Sequence, residues 1–303
     1  MLYAACRNND IKKVKQLLKT LRVDEVNRTE TNSSTALHAA AYYGHAEIVK
    51  LLLDSGASRS IKNRFQLTPY EEASTPEIKQ LFERRSDSVR FVSLSSEIEW
   101  LFIDPNVIGK SADYRKRLKR LSNNLAHSCQ LITECYLDIE LRDITGIDII
   151  KWYFYRAAQE DNPMYIVKAY TAETEFYARL NKDLAATSED ILNVKLISFN
   201  NSFQKYWYTN GRIAGIIAEH PKLKSYTFIG KTYRGMRLTD YDLLHYITGT
   251  RVMNKSFLST TKDKEIASKF AEKMSLMEST NKKYPTLCRY EIINNRTALD
   301  IEQ

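Results

Sequence analysis

The sequence predicts two bodies in series, an all-α repeat solenoid followed by an α+β domain, and three observations divide it so. Thr35 and Thr68-Pro69 open equivalent stretches 33 residues apart, a period of stacked helical repeats. From Thr145 onward, apolar side chains recur at helical spacing, as in Ile149, Ile150, Tyr153 and Phe154. From Phe228 onward, β-formers alternate and then stop on small or hydroxylic residues, the pattern of buried strands with exposed ends.

The repeat is legible residue by residue. Thr35-Ala36-Leu37-His38-Ala39-Ala40-Ala41 leads through Gly44 to Ile48-Val49-Lys50-Leu51-Leu52-Leu53 and Gly56-Ala57. Leu2 to Leu18 is a variant copy upstream, and Thr68 to Phe82 a shortened one downstream. This pattern resembles the ankyrin repeat. Thr35 and His38 suit the hydrogen bonds that fix its turn. Ala39 and Ala40 allow close helix approach, Gly44 supports the inter-helix turn, and Leu51 to Leu53 stack between repeats. His38 is therefore read as turn-fixing, not metal-ligating. We assign about two and a half ankyrin repeats to residues 1–83. So short an array buries its apolar faces poorly, which leaves open whether it packs on the next domain or continues before Met1.

Residues 84–145 read as a connecting segment, with short strands over Val89 to Ile103 and a basic helix over Ser111 to Ser128. Composition excludes several classes. No apolar run is long enough for a membrane span, and Met1 to Arg7 lacks the features of a signal peptide. From these a cytoplasmic protein is expected, with the nucleus as the alternative. The cysteines Cys6, Cys129, Cys135 and Cys288 form no metal-binding or disulfide pattern, so no metal is expected. Net charge is +8, which favours anionic partners in general. The run Arg115 to Arg120 reads as a solvated helix face, because it lacks the interleaved aromatics of a single-strand groove. Nucleic acid is not the expected partner.

The chemistry lies in residues 146–303. Gly230-Lys231-Thr232-Tyr233-Arg234-Gly235 ends one strand signal, and Asn254-Lys255-Ser256-Phe257-Leu258-Ser259-Thr260-Thr261 forms another that runs into a helix, Asp263 to Lys273. An Arg beside a hydroxyl cluster suits a ligand carrying phosphates and ribose hydroxyls. Ahead of them, one helix is predicted from Pro163 to Ala185. It carries Ala169-Tyr170-Thr171, Phe176-Tyr177 and Leu180-Asn181.

In this order the motifs resemble the arginine-specific ADP-ribosyltransferase family, whose signatures are an Arg, a Ser-Thr-Ser and a later Glu-x-Glu. The resemblance implies a helical lobe beside a split, mainly antiparallel sheet, incomplete here at the C-terminus. It also implies NAD as co-substrate, transfer of ADP-ribose to an arginine side chain of a protein, and release of nicotinamide. Arg234 would grip phosphate or ribose oxygens, and the backbone at Gly235 would approach the nicotinamide amide. Ser259 would orient the catalytic carboxylate. Thr260 and Thr261 would complete the cofactor-binding strand and cap the following helix, with Thr261 standing where the family has Ser. The ankyrin repeats would present a protein partner.

The third signature is missing. Asp300-Ile301-Glu302 imitates it, but Ala298-Leu299-Asp300-Ile301 better matches the strand entrance that precedes it. Without that carboxylate the fragment is expected to be inactive, since one preorganised electrostatic contact contributes on the order of 3 kcal/mol to the barrier. The alternative is a non-catalytic ankyrin scaffold carrying a degenerate transferase-like domain.

Overall fold

The structure is a computed structural model that describes residues 1–82, 100–102, 116, 124–193, 201–244, 246–249, 252–254, 256–273, 283–295 and 298–301. The chain divides into two compact units. One is Met1–Ser88 with Asp148–Trp152, the other Val89–Ile147 with Tyr153–Gln303.

The first unit is a helical solenoid. Helices α1 (Leu2–Arg7) and α2 (Ile11–Leu18) form one pair, and α4 (Ala36–Tyr42) and α5 (Ala46–Asp54) the next, with the single turn α3 (Val23–Val26) between them. Their inward faces supply one continuous core that includes Cys6, Val14, Leu37, Ala40, Ile48, Val49 and Leu52. Leu51 and Leu53 pack partly buried against it. The turn-fixing roles are realised. Nδ1 of His38 accepts from the Thr35 amide at 3.0 Å, so Nε2 carries the proton and donates to the Leu67 carbonyl at 3.1 Å. Gly44 sits at φ +76° and Gly56 at φ +84°, conformations that a side chain would strain.

The last copy is cut down. Pro69 to Glu72 form only turns, followed by α6 (Pro76–Phe82). Thr68 and Glu71 close that turn on each other, with the Thr68 amide donating to Glu71 at 2.7 Å. Ser74 then donates from its amide to the Ala41 carbonyl at 3.1 Å, tying the short copy to α4 of the preceding repeat.

In the second unit, helices come first. Helix α7 (Leu125–Ile132) continues as a π-helical turn, Thr133–Leu137, followed by α8 (Ile147–Gln159), of which Asp148–Trp152 is counted with the first unit, then α9 (Met164–Thr171), α10 (Phe176–Asn193) and α11 (Asn201–Glu219). Phe154 and Phe176 meet edge to face at 6.1 Å, both fully buried. Buried Tyr136 donates to Asp183 at 2.7 Å, which satisfies its hydroxyl inside the core. Helix α11 stops at His220-Pro221, where His220 is extended and Pro221 opens a 3-10 turn.

Two small antiparallel ladders follow. Strand β1 (Trp100–Phe102) pairs with β3 (Val252–Asn254), so the connecting segment lends a strand to the second unit. Strand β2 (Gly230–Leu238) pairs along its length with β4 (Tyr284–Ile292). Between them come the short α12 (Asp240–Leu243) and then α13 (Lys264–Lys273), which packs on β2. Each sheet has two strands among the described residues. That is smaller than the split sheet the resemblance implied, and a transferase fold is not shown.

Three expectations change in detail. The single helix from Pro163 to Ala185 is two, because Ala172 turns extended and the Thr174 hydroxyl accepts from the Phe176 amide at 3.3 Å to start α10. The strand expected over Asn254 to Thr261 ends at Asn254, and only Thr261 rejoins the sheet, by one bridge to Tyr233. Asp263, rather than Thr260 or Thr261, caps α13, accepting from the Glu265 amide at 2.7 Å. The basic run Arg115 to Arg120 lies outside the described residues except for exposed Lys116.

Candidate functional site

Strand β2 owes its two faces to the alternation in Thr232-Tyr233-Arg234-Gly235-Met236. One face carries Thr232 and Arg234, which sit opposite Tyr290 and Cys288 of β4 in the ladder. The other presents Gly235 to α13. A Cβ there would lie 1.9 Å from the Ala267 carbonyl oxygen and 2.8 Å from the Ala271 nitrogen. The close approach that Gly235 permits is thus that of a helix backbone.

Arg234 is 8 % exposed, held where its charge reaches Tyr170, Cys288 and Tyr290. Ser259 reaches the same neighbourhood from the segment bridged to β2, where its side chain acts on the Tyr170 hydroxyl. Tyr170 lies at the centre. Asn181 of α10 donates to its oxygen at 3.2 Å, Phe257 meets its ring edge-on at 5.2 Å, and Tyr177 lies at 5.1 Å. Burial drives the Tyr170 hydroxyl well above the ordinary phenol range, with Tyr177 adding to it; Asn181, Arg234 and Ser259 pull the other way. It is a neutral, polar anchor at physiological pH. Burial likewise pushes up the Cys288 thiol, whose Sγ lies 3.3 Å from Met236 Sδ.

The remaining residues singled out by motif are distributed around this cluster. Thr261 bonds both ways with the Tyr233 backbone, at 2.7 and 2.8 Å, and its hydroxyl accepts from the Asp263 amide at 3.1 Å. Thr260 is exposed. Arg234 and Ser259 thus come together through Tyr170, Thr260 and Thr261 flank them, and Gly235 faces the opposite side. The segment Ala298–Asp300 runs beside Tyr226–Phe228, with the Asp300 amide donating to Tyr226 at 2.6 Å. The Asp300 carboxylate accepts from Lys262 at 3.1 Å. Leu299 makes one isolated bridge, to Thr227, and Glu302, the other carboxylate of the imitated motif, lies outside the described residues.

Tyr290 and Cys288 were not foreseen as neighbours of Arg234. Their alternation in Thr286-Leu287-Cys288-Arg289-Tyr290 was a usable strand signal, but only the register with β2 reveals what they face.

A ligand carrying phosphates fits this cluster in part. Ser259 and Thr261 are half-buried and Thr260 exposed, so their hydroxyls are reachable. Thr232, on the Arg234 face, keeps a buried hydroxyl with no hydrogen-bond partner among the described residues, an atom a ligand could satisfy. Arg234 itself is nearly enclosed. Among the described residues no cluster of His, Cys, Asp or Glu could hold a metal, and no helix is long and apolar enough to cross a membrane.

A second surface lies on the solenoid. Tyr42, Tyr43, Phe65 and Tyr70 are all exposed, Tyr42 and Phe65 by 59 % and 60 %. Cations lie over three of these rings: Arg7 on Tyr43, Arg64 on Phe65 and Lys79 on Tyr70.

Comparison with known proteins bears on the solenoid. Residues 1–81 match the ankyrin repeats, in three copies. The chain is 26 % identical over 157 residues to the oxysterol-binding protein-related protein 1 of Mus musculus, covering 47 % of this chain and 16 % of that one. It is 31 % identical over 113 residues to the ankyrin repeat domain-containing protein 40 of Mus musculus, covering 37 % of this chain and 31 % of the relative. The chain therefore spans less than a third of the length of either relative. Among solved structures, the ankyrin repeat domain of Bcl-3 matches at 31 % identity and a TM-score of 0.25, over 26 % of this chain and 34 % of that one. The N-terminus is an ankyrin solenoid, and nothing in these comparisons supports a transferase family.

Proposed function

We propose that this protein is a scaffold that recruits another protein through its ankyrin solenoid. One observation carries the reading: a three-copy ankyrin array displays Tyr42, Tyr43, Phe65 and Tyr70 to solvent. Large aromatic side chains beside cations are the usual energetic anchors of protein interfaces. The test is proximity cross-linking in cells followed by quantitative recovery, comparing the native chain with a Tyr42→Ala/Phe65→Ala/Tyr70→Ala variant that keeps its helical circular dichroism. A partner lost tenfold or more with the variant is expected. Equal recovery of every partner by both proteins would sink the reading.

A second reading rests on a different observation, the meeting of Arg234 and Ser259 at Tyr170. Together with the resemblance in the motifs, it supports binding of NAD and transfer of ADP-ribose to a protein arginine. In that reaction the bond from ribose C1′ to nicotinamide breaks, a guanidinium nitrogen takes its place, and one proton is released. Calorimetric titration with NAD+ separates this from the scaffold reading. Binding that Arg234→Lys weakens about tenfold is expected, and no heat at millimolar NAD+ would remove the reading.

A further inference from the structure

Among the described residues, strand β4 has one edge paired and one edge open. Its inner edge bonds to β2, and among the described residues no strand lies against the other. Which backbone groups point outward follows from the bridge on the far side of β2. Tyr233 exchanges both of its hydrogen bonds with Thr261, so it points away from β4. Tyr233 faces Arg289 in the ladder. In an antiparallel pair, residues opposite one another point both ways inward or both ways outward, alternating along the strand. Arg289 therefore turns its amide and carbonyl to the open edge, as do Leu287 and Glu291.

The side chains of those same residues are exposed. Opposite charges sit two positions apart, Arg289 and Glu291, flanked by the exposed apolar Leu287 and by Ile293, which is 81 % exposed. Charged residues on an edge ordinarily discourage pairing. Here they are arranged to choose a partner. If a second β4 is laid antiparallel on this edge with a twofold axis at Tyr290, Arg289 of each copy faces Glu291 of the other. Leu287 falls opposite Ile293, one residue beyond the end of β4. The outward-pointing backbone groups of Arg289 and Glu291 also meet in that register.

We infer that β4 pairs with β4 of a second copy of this chain, joining two two-stranded ribbons into one sheet across a twofold axis. The driving forces are general. A two-stranded ribbon is marginal by itself, and added strands stabilise it. A self-complementary edge also closes a dimer rather than an open fibre.

Charge exchange on the full chain tests this, with sedimentation equilibrium as the readout. The native protein should be a dimer. Arg289→Glu, which sets Glu against Glu291 twice per dimer, should raise the dissociation constant about tenfold or more. Glu291→Arg should do the same. The double exchange Arg289→Glu/Glu291→Arg should restore the dimer, an outcome that misfolding cannot mimic. A native protein that stays monomeric up to about 100 μM, above any useful strand-pairing affinity, would overturn the inference. So would a dimer indifferent to both single exchanges, or a double exchange that stays monomeric while its circular dichroism is unchanged.

Discussion

The solenoid and the Arg234 cluster are built from different kinds of contact. In the solenoid, each determinant lies near its partner in sequence or one repeat away. Thr35 meets His38, His38 reaches Leu67, and the Asn27 amide group bridges Val23 and Gly56. Around Arg234, the neighbours come from far along the chain: Tyr170 from α9, Asn181 from α10, Ser259 from an irregular segment and Cys288 from β4. The lesson is that a repeat states its contacts locally, whereas a cluster assembled from five segments is defined only by packing and register.

The sharpest way to break that contrast is Gly235→Ala. The new methyl would meet the backbone of α13 rather than a yielding side chain, so β2 and α13 must separate. The second unit should lose about 3 kcal/mol or more. Denaturant unfolding followed by tryptophan emission checks it, because Trp152 belongs to the solenoid unit and Trp100 and Trp207 to the other. A transition of the second unit left unmoved would show that the strand and helix do not pack so closely.

His38→Ala attacks the other region. It removes the closing contact of a capping turn and the tie to Leu67, and should cost the solenoid about 2–3 kcal/mol. Its thermal transition should fall while that of the second unit stays put. Tyr136→Phe is smaller. It deletes one buried hydrogen bond to Asp183 and should cost about 1–2 kcal/mol, measured as a shift in urea midpoint at constant slope.

The smallest effect is a pH dependence. Burial holds the His38 pKa below its ordinary 6.5, against the Leu67 carbonyl and Glu72, which favour the proton. The unfolded chain therefore binds a proton at pH values where the folded chain does not. Stability from this group is complete above about pH 6.5 and is lost as pH falls from there toward the lower folded value. The solenoid's midpoint should drop over that range, and His38→Gln should flatten the slope. A midpoint that rises on acidification would mean His38 takes up its proton in the fold.

Much of the first unit is legible in the amino-acid sequence. Thr35, His38, Gly44 and Leu52 occupy the roles their pattern assigned, because each role depends on neighbours within one repeat. The strand β2 and the helix Lys264–Lys273 were readable from alternation and helical spacing. The break at Ala172 was not, because the apolar spacing runs on through it while a backbone turn does not. Nor was the early end of β3, since Phe257, Leu258 and Thr260 have strand propensity that the tertiary setting overrides.

By itself the sequence determined the solenoid, its turn chemistry and the presence of an Arg and a hydroxyl run on separate elements. Those follow from periodicity and local hydrogen bonding, which act over a few residues. Tertiary structure alone decided that Tyr170 joins Arg234 to Ser259, that Gly235 serves a helix, and that Arg289 and Glu291 share an open edge. Each of these depends on which strand lies beside which and in what register, and register is set by long-range packing that no local pattern encodes.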